Sequence, residues 1–390
     1  MRNIKFILTG LATVFTVPFY GININHGPYL QEVTNTGATF VFNTSSPSYS
    51  YIELKKDGEA AGKVYYQSVN GLKQANCSRF AVRADGLLPA TRYSYRIISK
   101  EIKSLQPYSV VYGDSVVSSW YSFSTLNPKQ KGGNFFVTSD MHNNPGKLKK
   151  LLELCDYESC SMIFYAGDMM NYMQGNAESP FTAFIDLSVD MFAKSKPFEV
   201  VRGNHETRGN NARTFSSFFP KTNGTIYGST VIGDVMFIKL DTGEDKSDTH
   251  PVYAGITDFD AYRTEQAEWL KKLVASKEYK KAKYHVVISH FPMIMEENSQ
   301  DKNGNPKWAG WDDAISKFLP ILNDAKIDLM VAGHTHRYYY HDVNEENNKF
   351  PILEQGAKSA ARLEIADGNI LVKVLDINGK TLLNKSIKRK

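Results

Sequence analysis

Cysteine is scarce in this chain, with only three in 390 residues. Cys77, Cys155 and Cys160 do not have the spacing of a structural zinc site, which excludes a fold built around a Cys-type zinc. In an exported protein Cys155 and Cys160 could form a disulfide across a short loop, leaving Cys77 alone. We assign none of them a catalytic role, because a buried thiol is the commoner state of a free cysteine.

A large excess of charge of one sign is also absent, since 46 basic residues face 41 acidic ones and the formal net charge is only +5. This small excess indicates neither a nucleic-acid-binding surface nor a membrane partner. The single basic cluster, residues 385–390, is interpreted as a solvated chain end. Internal repeats and low-complexity stretches are absent, and beyond the first 21 residues no apolar run is long enough to span a bilayer.

The amino-terminal segment differs from the rest of the chain. Arg2 and Lys5 precede an uncharged, mostly apolar stretch at residues 6–19. This layout predicts a secretory signal peptide over residues 1–21, and therefore a secreted or periplasmic protein. An uncleaved anchor is the alternative. No cysteine lies near its end, so lipid attachment is not expected.

The patterns of the remaining chain predict two domains. Residues 22–127 contain short alternating runs separated by turn residues and show no helical periodicity, which predicts an all-β sandwich. After a polar linker, residues 132–390 alternate buried strands with amphipathic helices, which is typical of an α/β domain. The last thirty residues return to β-hairpins, with turns at Asp367-Gly368 and Asn378-Gly379.

Polar side chains follow the predicted strands of the second domain in a regular series. The sequences are Asp140-Met141-His142, Gly167-Asp168, Gly203-Asn204-His205-Glu206, Ser289-His290 and Gly333-His334-Thr335-His336. Five of the nine histidines lie in this series. Because ligands gather beyond the carboxyl ends of strands in open α/β sheets, we expect these side chains to meet in one cleft.

The residue types predict a site for metal ions. Imidazole, carboxylate and amide oxygen suit borderline and hard ions such as Zn, Mn or Fe. Asp140 and His142 are two residues apart and can converge on one ion, and Asp168 is suited to bridge two. Two divalent ions against two carboxylates leave the site positive, which favours a phosphate group and lowers the pKa of a bound water. The chain shows no arginine cluster that could do this instead.

In this order, the five motifs resemble the calcineurin-like metallophosphoesterase family. The β segment before these motifs resembles the corresponding part of purple acid phosphatases, in particular in its sequence around residues 92–96 and 123–125. This resemblance implies a double β-sheet sandwich flanked by helices, preceded by a fibronectin-type-III-like domain. It covers nearly the whole chain after the first 21 residues.

The resemblance also implies roles for individual residues. One metal would be held by Asp140, His142, Asp168 and His336, and the second by Asp168, Asn204, His290 and His334. His205 would stabilise the transition state or protonate the leaving oxygen, and a hydroxide activated by the two metals would be the nucleophile.

Asn171 departs from the pattern of both groups. Purple acid phosphatases have an iron-binding tyrosine at this place, and the wider family often has an aspartate that orients the catalytic histidine. Here the nearest tyrosine is Tyr172. A tyrosinate–iron centre is therefore not expected, and the Asn171 side chain could orient His205 only through its amide oxygen.

Several residues near the motifs have two interpretations each. Trp308 and Trp311, after the polar insertion 296–306, could stack on the substrate or fix their loop to the protein. Arg337 could contact the phosphate. The loop containing Asp245, His250 and Tyr253 could reach the cleft or be an ordinary surface loop. Glu206 is expected to hold its own loop.

Three functions remain open at this stage. The first is hydrolysis of phosphate monoesters, as in an acid phosphatase. The second is cleavage of phosphodiesters in a nucleotide, a sugar phosphate or a lipid head group by the same centre. The third, a non-catalytic binding scaffold, is disfavoured because every predicted metal-ligand position is filled. A small phosphorylated substrate is the expected partner; the metal, the pH optimum and the oligomeric state are not determined by the sequence.

Overall fold

The computed structural model describes residues 21–175, 179–295, 304 and 307–390. The predicted signal peptide, apart from Gly21, and nearly all of the polar insertion 296–306 lie outside these residues. Within the described residues, every helix is too short or too polar to cross a membrane.

The amino-terminal part is entirely β. Its nine strands are β1 (Ile24–Gln31), β2 (Gly37–Lys56), β3 (Lys63–Tyr65), β4 (Ser68–Val69), β5 (Leu72–Lys73), β6 (Ala75–Asp85), β7 (Arg92–Gln106), β8 (Ser109–Val117) and β9 (Tyr121–Ser124). All the pairings among them are antiparallel.

Strand β2 joins the two layers of this part. Its first half pairs with β1 and β6, and its second half pairs with β3 and β7. The register shifts between Asn43 and Ser48, where the strand passes from one layer to the other. Phe40 and Phe42 of the first half and Ile52 of the second are fully buried in a shared core. The predicted all-β sandwich is therefore present.

The remaining twelve strands belong to two mixed sheets. They are β10 (Gly133–Thr138), β11 (Met162–Tyr165), β12 (Phe198–Val200), β13 (Gly228–Ile232), β14 (Val235–Leu240), β15 (Tyr284–Ser289), β16 (Leu329–Ala332), β17 (Tyr339–His341), β18 (Ile352–Glu354), β19 (Ser359–Ala366), β20 (Asn369–Asp376) and β21 (Thr381–Lys388). The first sheet has the order β12-β11-β10-β19-β20-β21 and the second β13-β14-β15-β16-β18-β17.

Each sheet has a parallel centre. Strands β10, β11 and β12 run parallel in the first sheet, and β14, β15, β16 and β18 run parallel in the second. The remaining pairings in both sheets are antiparallel. Because parallel strands point the same way, their carboxyl ends, and the loops that follow, gather at one edge of each sheet.

Five α-helices lie among these strands in the described part of the chain. They are α1 (Pro145–Leu154), α2 (Asp186–Ser188), α3 (Phe259–Ala275), α4 (Lys277–Lys281) and α5 (Ala309–Asp324). Asn144 directly precedes helix α1. Its side-chain oxygen accepts from the Lys147 N–H and so caps the first turn. Helix α2 is flanked by the π-helical turns Phe181–Ile185 and Val189–Ala193.

The two sheets pack face to face through a fully buried apolar core. Phe135 and Phe164 of the first sheet contact Phe237 of the second, with ring centroids 4.6 Å and 4.4 Å apart. Helix α1 and the π-helical turns cover the outer face of the first sheet, and α3 and α5 cover that of the second. This is the double sandwich flanked by helices that the resemblance implied.

The amino-terminal sandwich packs directly on the first sheet and its covering turns. Tyr29 Oη donates to the Phe218 carbonyl at 2.7 Å, and Tyr95 Oη donates to the Lys194 carbonyl at 2.7 Å. The guanidinium of Arg79 lies 3.6 Å from the ring centroid of Phe218. These buried contacts make the sandwich part of the same packed body as the α/β part.

Cys155 and Cys160 do not form the disulfide that their spacing allowed. Both are buried as free thiols, and Cys77 is a half-buried free thiol. Cys155 Sγ faces the Ala360 carbonyl at 3.9 Å, whereas Cys160 Sγ faces the Asp156 carbonyl at 3.7 Å. The two sulfurs are therefore directed at different neighbours.

The predicted strands and helices agree with the structure where burial is continuous or periodic, as in β10, β11, β14 and α1. In the α/β part, the short strands β13, β17 and β18 were not predicted. The loop interpretation of Trp311 was wrong, because this residue lies in the first turn of α5. The preceding glycine and tryptophan obscure the helical period at that point.

A buried ion pair joins the two sheets at the edge formed by β12. Glu199 is buried, and its Oε2 accepts from Lys239 Nζ of β14 at 2.7 Å and also from Lys221. Burial alone would raise the pKa of Glu199, but the two lysine charges outweigh it and lower the pKa to about 2. The Glu199 charge therefore stabilises the fold above pH 4.5, and this contribution is lost as the pH falls toward 2. Burial has the opposite effect on its partner, because it lowers the pKa of Lys239 to about 8 and so makes the charged lysine less favourable in the folded protein.

We expect Glu199→Gln to lower the free energy of unfolding at pH 7 by about 3–5 kcal/mol, because two buried lysines lose their counter-charge. At pH 3 the difference from the wild-type protein should shrink. Urea unfolding at both pH values measures it. The control is Glu153→Gln, which removes an exposed partner of Lys149 at 3.9 Å and should change stability by less than about 1 kcal/mol. Equal effects of the two substitutions would contradict the prediction.

Candidate metal centre

The seven predicted metal-ligand residues lie together in the turns that follow the parallel strands. Asp140, Asp168 and Asn204 follow β10, β11 and β12, while His290 and His334 follow β15 and β16. Five of the seven have a positive φ between 48° and 74°: Asp140, His142, Asp168, His334 and His336. Such backbone is costly for non-glycine residues and is concentrated at functional sites.

The first group of possible ligands contains Asp140, His142, Asp168 and His336. One ligand atom from each lies within 4.8 Å of the others. His142 Nε2 and His336 Nε2 face each other at 3.0 Å, and His336 Nε2 lies 3.3 Å from Asp140 Oδ1. Two imidazole nitrogens and carboxylate oxygens directed at one point form a donor set suited to one metal ion.

The second group contains Asp168, His290 and His334. His290 donates its Nδ1–H to the Ala166 carbonyl at 2.9 Å, which directs Nε2 into the site. That Nε2 lies 3.0 Å from Asn204 Oδ1 and 3.2 Å from Asp168 Oδ2. Asn204 thus adds an amide oxygen to the second group. A backbone carbonyl holding the remote nitrogen of a ligating histidine is common at metal sites.

Burial sets the protonation of two of the imidazoles. It lowers the pKa of His142 to about 4 and that of His334 to about 3, with the neighbouring histidines adding to the effect. Both rings are therefore neutral at pH 7 and can offer a lone pair to a metal. For His290, burial acts in the same direction, but the Asp168 carboxylate outweighs it and raises the pKa to about 10.

Asp168 is the one residue that the two groups share. It is 1% exposed, and its Oδ1 accepts from the His205 backbone N–H at 2.9 Å. Asp140 is also fully buried, and Ser139 Oγ donates to its Oδ2 at 2.5 Å. Ser139 was not singled out from the sequence, although it directly precedes the aspartate.

His205 lies beside both groups without being a member of either. Its Nδ1–H donates to the backbone carbonyl of Asn171 at 2.7 Å, and its Nε2 lies 3.8 Å from Asp168 Oδ2. The main chain of Asn171 thus fixes the ring, not the amide side chain considered above. The exposed ring of Tyr172 stacks on His205, with centroids 5.5 Å apart. No sequence pattern indicated this stacking.

Glu206 holds its loop, as expected. This fully buried carboxylate accepts the backbone N–H groups of Asp168 and Gly203 at 2.9 and 2.8 Å, and that of Met170 at 3.2 Å. Burial and the charge of Asp168 raise the pKa of Glu206 to about 7. The turns after β11 and β12 are thereby joined through one side chain.

Trp308 and Trp311 form an aromatic wall around His334. The ring centroid of His334 lies 5.7 Å from that of Trp308 and 5.1 Å from that of Trp311. Trp311 is buried, and its Nε1 donates to the Pro292 carbonyl at 2.6 Å, which indicates a structural role. Trp308 is only partly buried. Phe291, which was not predicted to be part of the site, also packs on His334, with ring centroids 4.4 Å apart.

Two further predicted features lie at the edge of the site. Arg337 is exposed and directly follows His336, so its contact with phosphate stays a prediction. The loop after β14 does approach the cleft. Tyr253 Oη donates to Glu244 at 2.8 Å, and Arg208 pairs with the same carboxylate at 2.7 Å. Since Arg208 lies three residues after His205, this loop contacts the segment that contains His205.

Three glycines allow the side chains to converge. A Cβ on Gly203 would overlap Asp168 Oδ1, and one on Gly167 would lie 2.5 Å from His290 Nδ1. A Cβ on Gly333 would lie 2.6 Å from Ser139 Oγ and 2.7 Å from Asp140 Oδ2. Gly167 also has φ +90°. All three positions therefore require glycine because neighbouring atoms come too close for a Cβ. At Gly167 the positive φ is a second reason.

Comparison with known proteins agrees with this arrangement. A model of the calcineurin-like phosphoesterase family matches residues 133–338, which is more than half of the chain. This chain therefore belongs to the calcineurin-like phosphoesterase family. The clustered aspartates and histidines all lie within the matched residues, and their two groups suit a dinuclear metal centre.

Among individual proteins, the chain is similar to purple acid phosphatases. It is 24% identical to purple acid phosphatase 18 of Arabidopsis thaliana over 224 residues, which are 54% of this chain and 45% of that protein. The chain thus spans about half the length of this curated relative.

Two solved structures share the fold. The structure of purple acid phosphatase PPD1 from yellow lupin (Lupinus luteus) seeds has a TM-score of 0.66 at 14% identity, covering 93% of this chain and 74% of that one. The structure of PhoD has a TM-score of 0.59 at 13% identity, covering 93% and 94%. At these identities the likeness concerns the fold alone.

We expect Gly203→Ala and Gly333→Ala each to lower metal affinity about 10- to 100-fold, because the added methyl group displaces Asp168 or Asp140. Elemental analysis after dialysis measures the bound metal, and circular dichroism verifies that the fold is retained. The matched control is Gly228→Ala, because a Cβ there has nothing within 4 Å. Full metal content in the first two variants would contradict the assigned geometry.

Proposed function

We propose that this chain hydrolyses phosphate monoesters with two metal ions bound at its strand ends. The observation that carries the proposal is the presence of two ligand groups that share Asp168, with His205 directly beside them. Asp140, His142, Asp168 and His336 would hold one ion. Asp168, Asn204, His290 and His334 would hold the other. Fe, Zn and Mn all suit this donor set.

When bound, the ions would neutralise the phosphate and lower the pKa of an attacking water. The protein provides the rest. Asp140 and Asp168 supply only two negative charges, so a centre with two divalent ions stays positive and attracts a phosphate anion. His336 is half exposed, which leaves the first group open to an incoming substrate.

His205 is the proposed proton donor. Because its Nδ1–H is held by the Asn171 carbonyl, its Nε2 is the nitrogen that faces the cleft. A proton on Nε2 could pass to the ester oxygen as that oxygen leaves phosphorus. The carboxylate oxygen Oδ2 of Asp168 lies 3.8 Å from this Nε2. This fixed orientation would replace the acidic orienting side chain that the Asn171 position lacks.

A phosphodiesterase is the second candidate. The observation that favours it is a cavity of about 740 Å³ beside His205, which has room for a second ester substituent. For both activities the substrate would be a small phosphorylated molecule. A non-catalytic scaffold would not need the strained backbone or the converging donors.

Two parts of the proposal concern the chain outside the centre. We propose that residues 1–21 direct export to a secreted or periplasmic location, and that residues 22–127 form a fibronectin-type-III-like domain next to the catalytic domain at 132–390. The support for the first is the sequence layout, and for the second the antiparallel sandwich described above. The mass of the chain recovered from an exporting host should correspond to cleavage near residue 21; an uncleaved mass would contradict export by a cleaved signal.

We expect His205→Ala to lower kcat for p-nitrophenyl phosphate about 10²- to 10⁴-fold while about two metals stay bound, because this residue moves a proton and is not a ligand. Asp168→Asn should instead lose metal as well as activity. His26→Ala, in β1 of the sandwich, is the control and should leave both unchanged. If His205→Ala lost its metal too, the role assigned to His205 would be wrong.

The choice between the two esters is measured on the wild-type protein. We expect p-nitrophenyl phosphate to have a higher kcat/KM than bis-p-nitrophenyl phosphate, with both activities removed by a chelator. The reverse preference would select the diesterase, and cleavage of neither ester by the metal-loaded protein would contradict both candidates.

A further inference from the structure

A cavity of about 740 Å³ opens beside the metal centre. One wall is the segment that follows His205, from Thr207 to Arg213. The other wall is the loop after β14, from Glu244 to Phe259. The volume lies within the range of about 300–1,000 Å³ that is typical of small-molecule pockets.

Two side chains connect the cavity to the centre. Tyr172 lines the cavity and stacks on His205, at 5.5 Å between ring centroids. Lys246 lines it from the other wall, and its Nζ lies 5.8 Å from the ring centroid of Trp308, which packs on His334. Tyr172 thus links the cavity to the proposed proton donor, His205, and Lys246 links it through Trp308 to a proposed metal ligand, His334.

Three basic groups of the walls are already paired with carboxylates. Arg208 pairs with Glu244 at 2.7 Å, Arg202 with Asp241 at 2.8 Å, and Lys246 with Asp245 at 2.7 Å. Arg213 also lines the cavity, and its guanidinium donates to the Ile256 carbonyl at 3.3 Å. Much of the charge in the walls is therefore already engaged by the protein.

The surfaces that remain are apolar and aromatic. Val252 and Ile256 on the rim are each 65% exposed, and Tyr172 is 44% exposed. Phe259 and Tyr262 line the interior. Large aliphatic side chains left exposed around a concave site indicate that an apolar group covers them when bound.

We propose that this cavity binds a planar ring carried by the leaving group, so that aryl or nucleoside phosphates are the preferred substrates. The inference deepens the proposed phosphatase function and depends on it for the position of the phosphate. With phosphate at the metal centre, the ester oxygen lies beside His205 and the ring extends past Tyr172 between Val252 and Ile256. Tyr172 is a positioning residue in this arrangement.

The test uses two probes that cannot be hydrolysed, phenylphosphonate and methylphosphonate, on the metal-loaded full chain. We expect phenylphosphonate to bind about tenfold more tightly, because its ring is removed from water. In the double variant Val252→Ser/Ile256→Ser the ratio should fall to about twofold, with methylphosphonate affinity unchanged. Val343→Ser is the control, since Val343 is an exposed valine (45%) outside the cavity.

Both rim residues are exposed, so the double variant should fold, and its melting temperature verifies this. Competition by adenosine monophosphate stronger than that by phenylphosphonate would support a nucleoside occupant, and the reverse order would support a simpler aryl group. The assignment of this cavity as the ring-binding site would be wrong if the two phosphonates bound equally well. It would also be wrong if the affinity ratio were unchanged in the rim variant, or if neither probe bound. A tenfold ratio without hydrolysis of any ester would instead overturn the phosphatase proposal and leave the pocket standing.

Discussion

The burial of two carboxylates at one point is the constraint on which the rest of this structure depends. Asp140 and Asp168 are almost inaccessible to water, and an unpaired buried charge costs several kcal/mol. Neighbouring imidazoles and backbone N–H groups supply part of the compensation, as the His290 contact at 3.2 Å illustrates. Metal ions would supply the remainder. The convergence of histidines from both sheets is thus an electrostatic requirement as well as a catalytic arrangement.

The two-sheet fold provides this convergence, but it strains the backbone of the turns that carry the ligands. Parallel strands from facing sheets deliver their carboxyl ends to one place, but the turns after them must be very tight. Five of the seven proposed ligands accordingly have a left-handed backbone conformation, and the glycines before Asp168, Asn204 and His334 leave no room for a Cβ. The apolar core between the sheets holds the turns in this strained form, since the strands below them cannot move independently.

The sequence was sufficient to predict this centre because its signals are local. A buried run followed by Asp-x-His or Gly-Asp places a ligand at a strand end whatever the rest of the chain does. Other features depend on contacts distant in sequence and could not be predicted. The Asn171 carbonyl, not its side chain, holds His205, and the stacking of Tyr172 leaves no trace in composition. The short edge strands β13, β17 and β18 are stabilised by their neighbours, so they lack a clear pattern of their own.

One buried carboxylate connects the segment of the proposed proton donor, His205, to the proposed substrate cavity. Glu244 accepts from Thr207 Oγ1 at 2.5 Å, from Arg208 and from Tyr253 Oη, so its oxygens are fully used. Thr207 and Arg208 directly follow the His205 segment, whereas Tyr253 lies in the loop that forms the opposite wall. A buried network of this kind is stable only when every member is satisfied. The position of His205 and the shape of the cavity are therefore not independent, and a change in the loop that alters which leaving group fits would also move His205, the proposed proton donor.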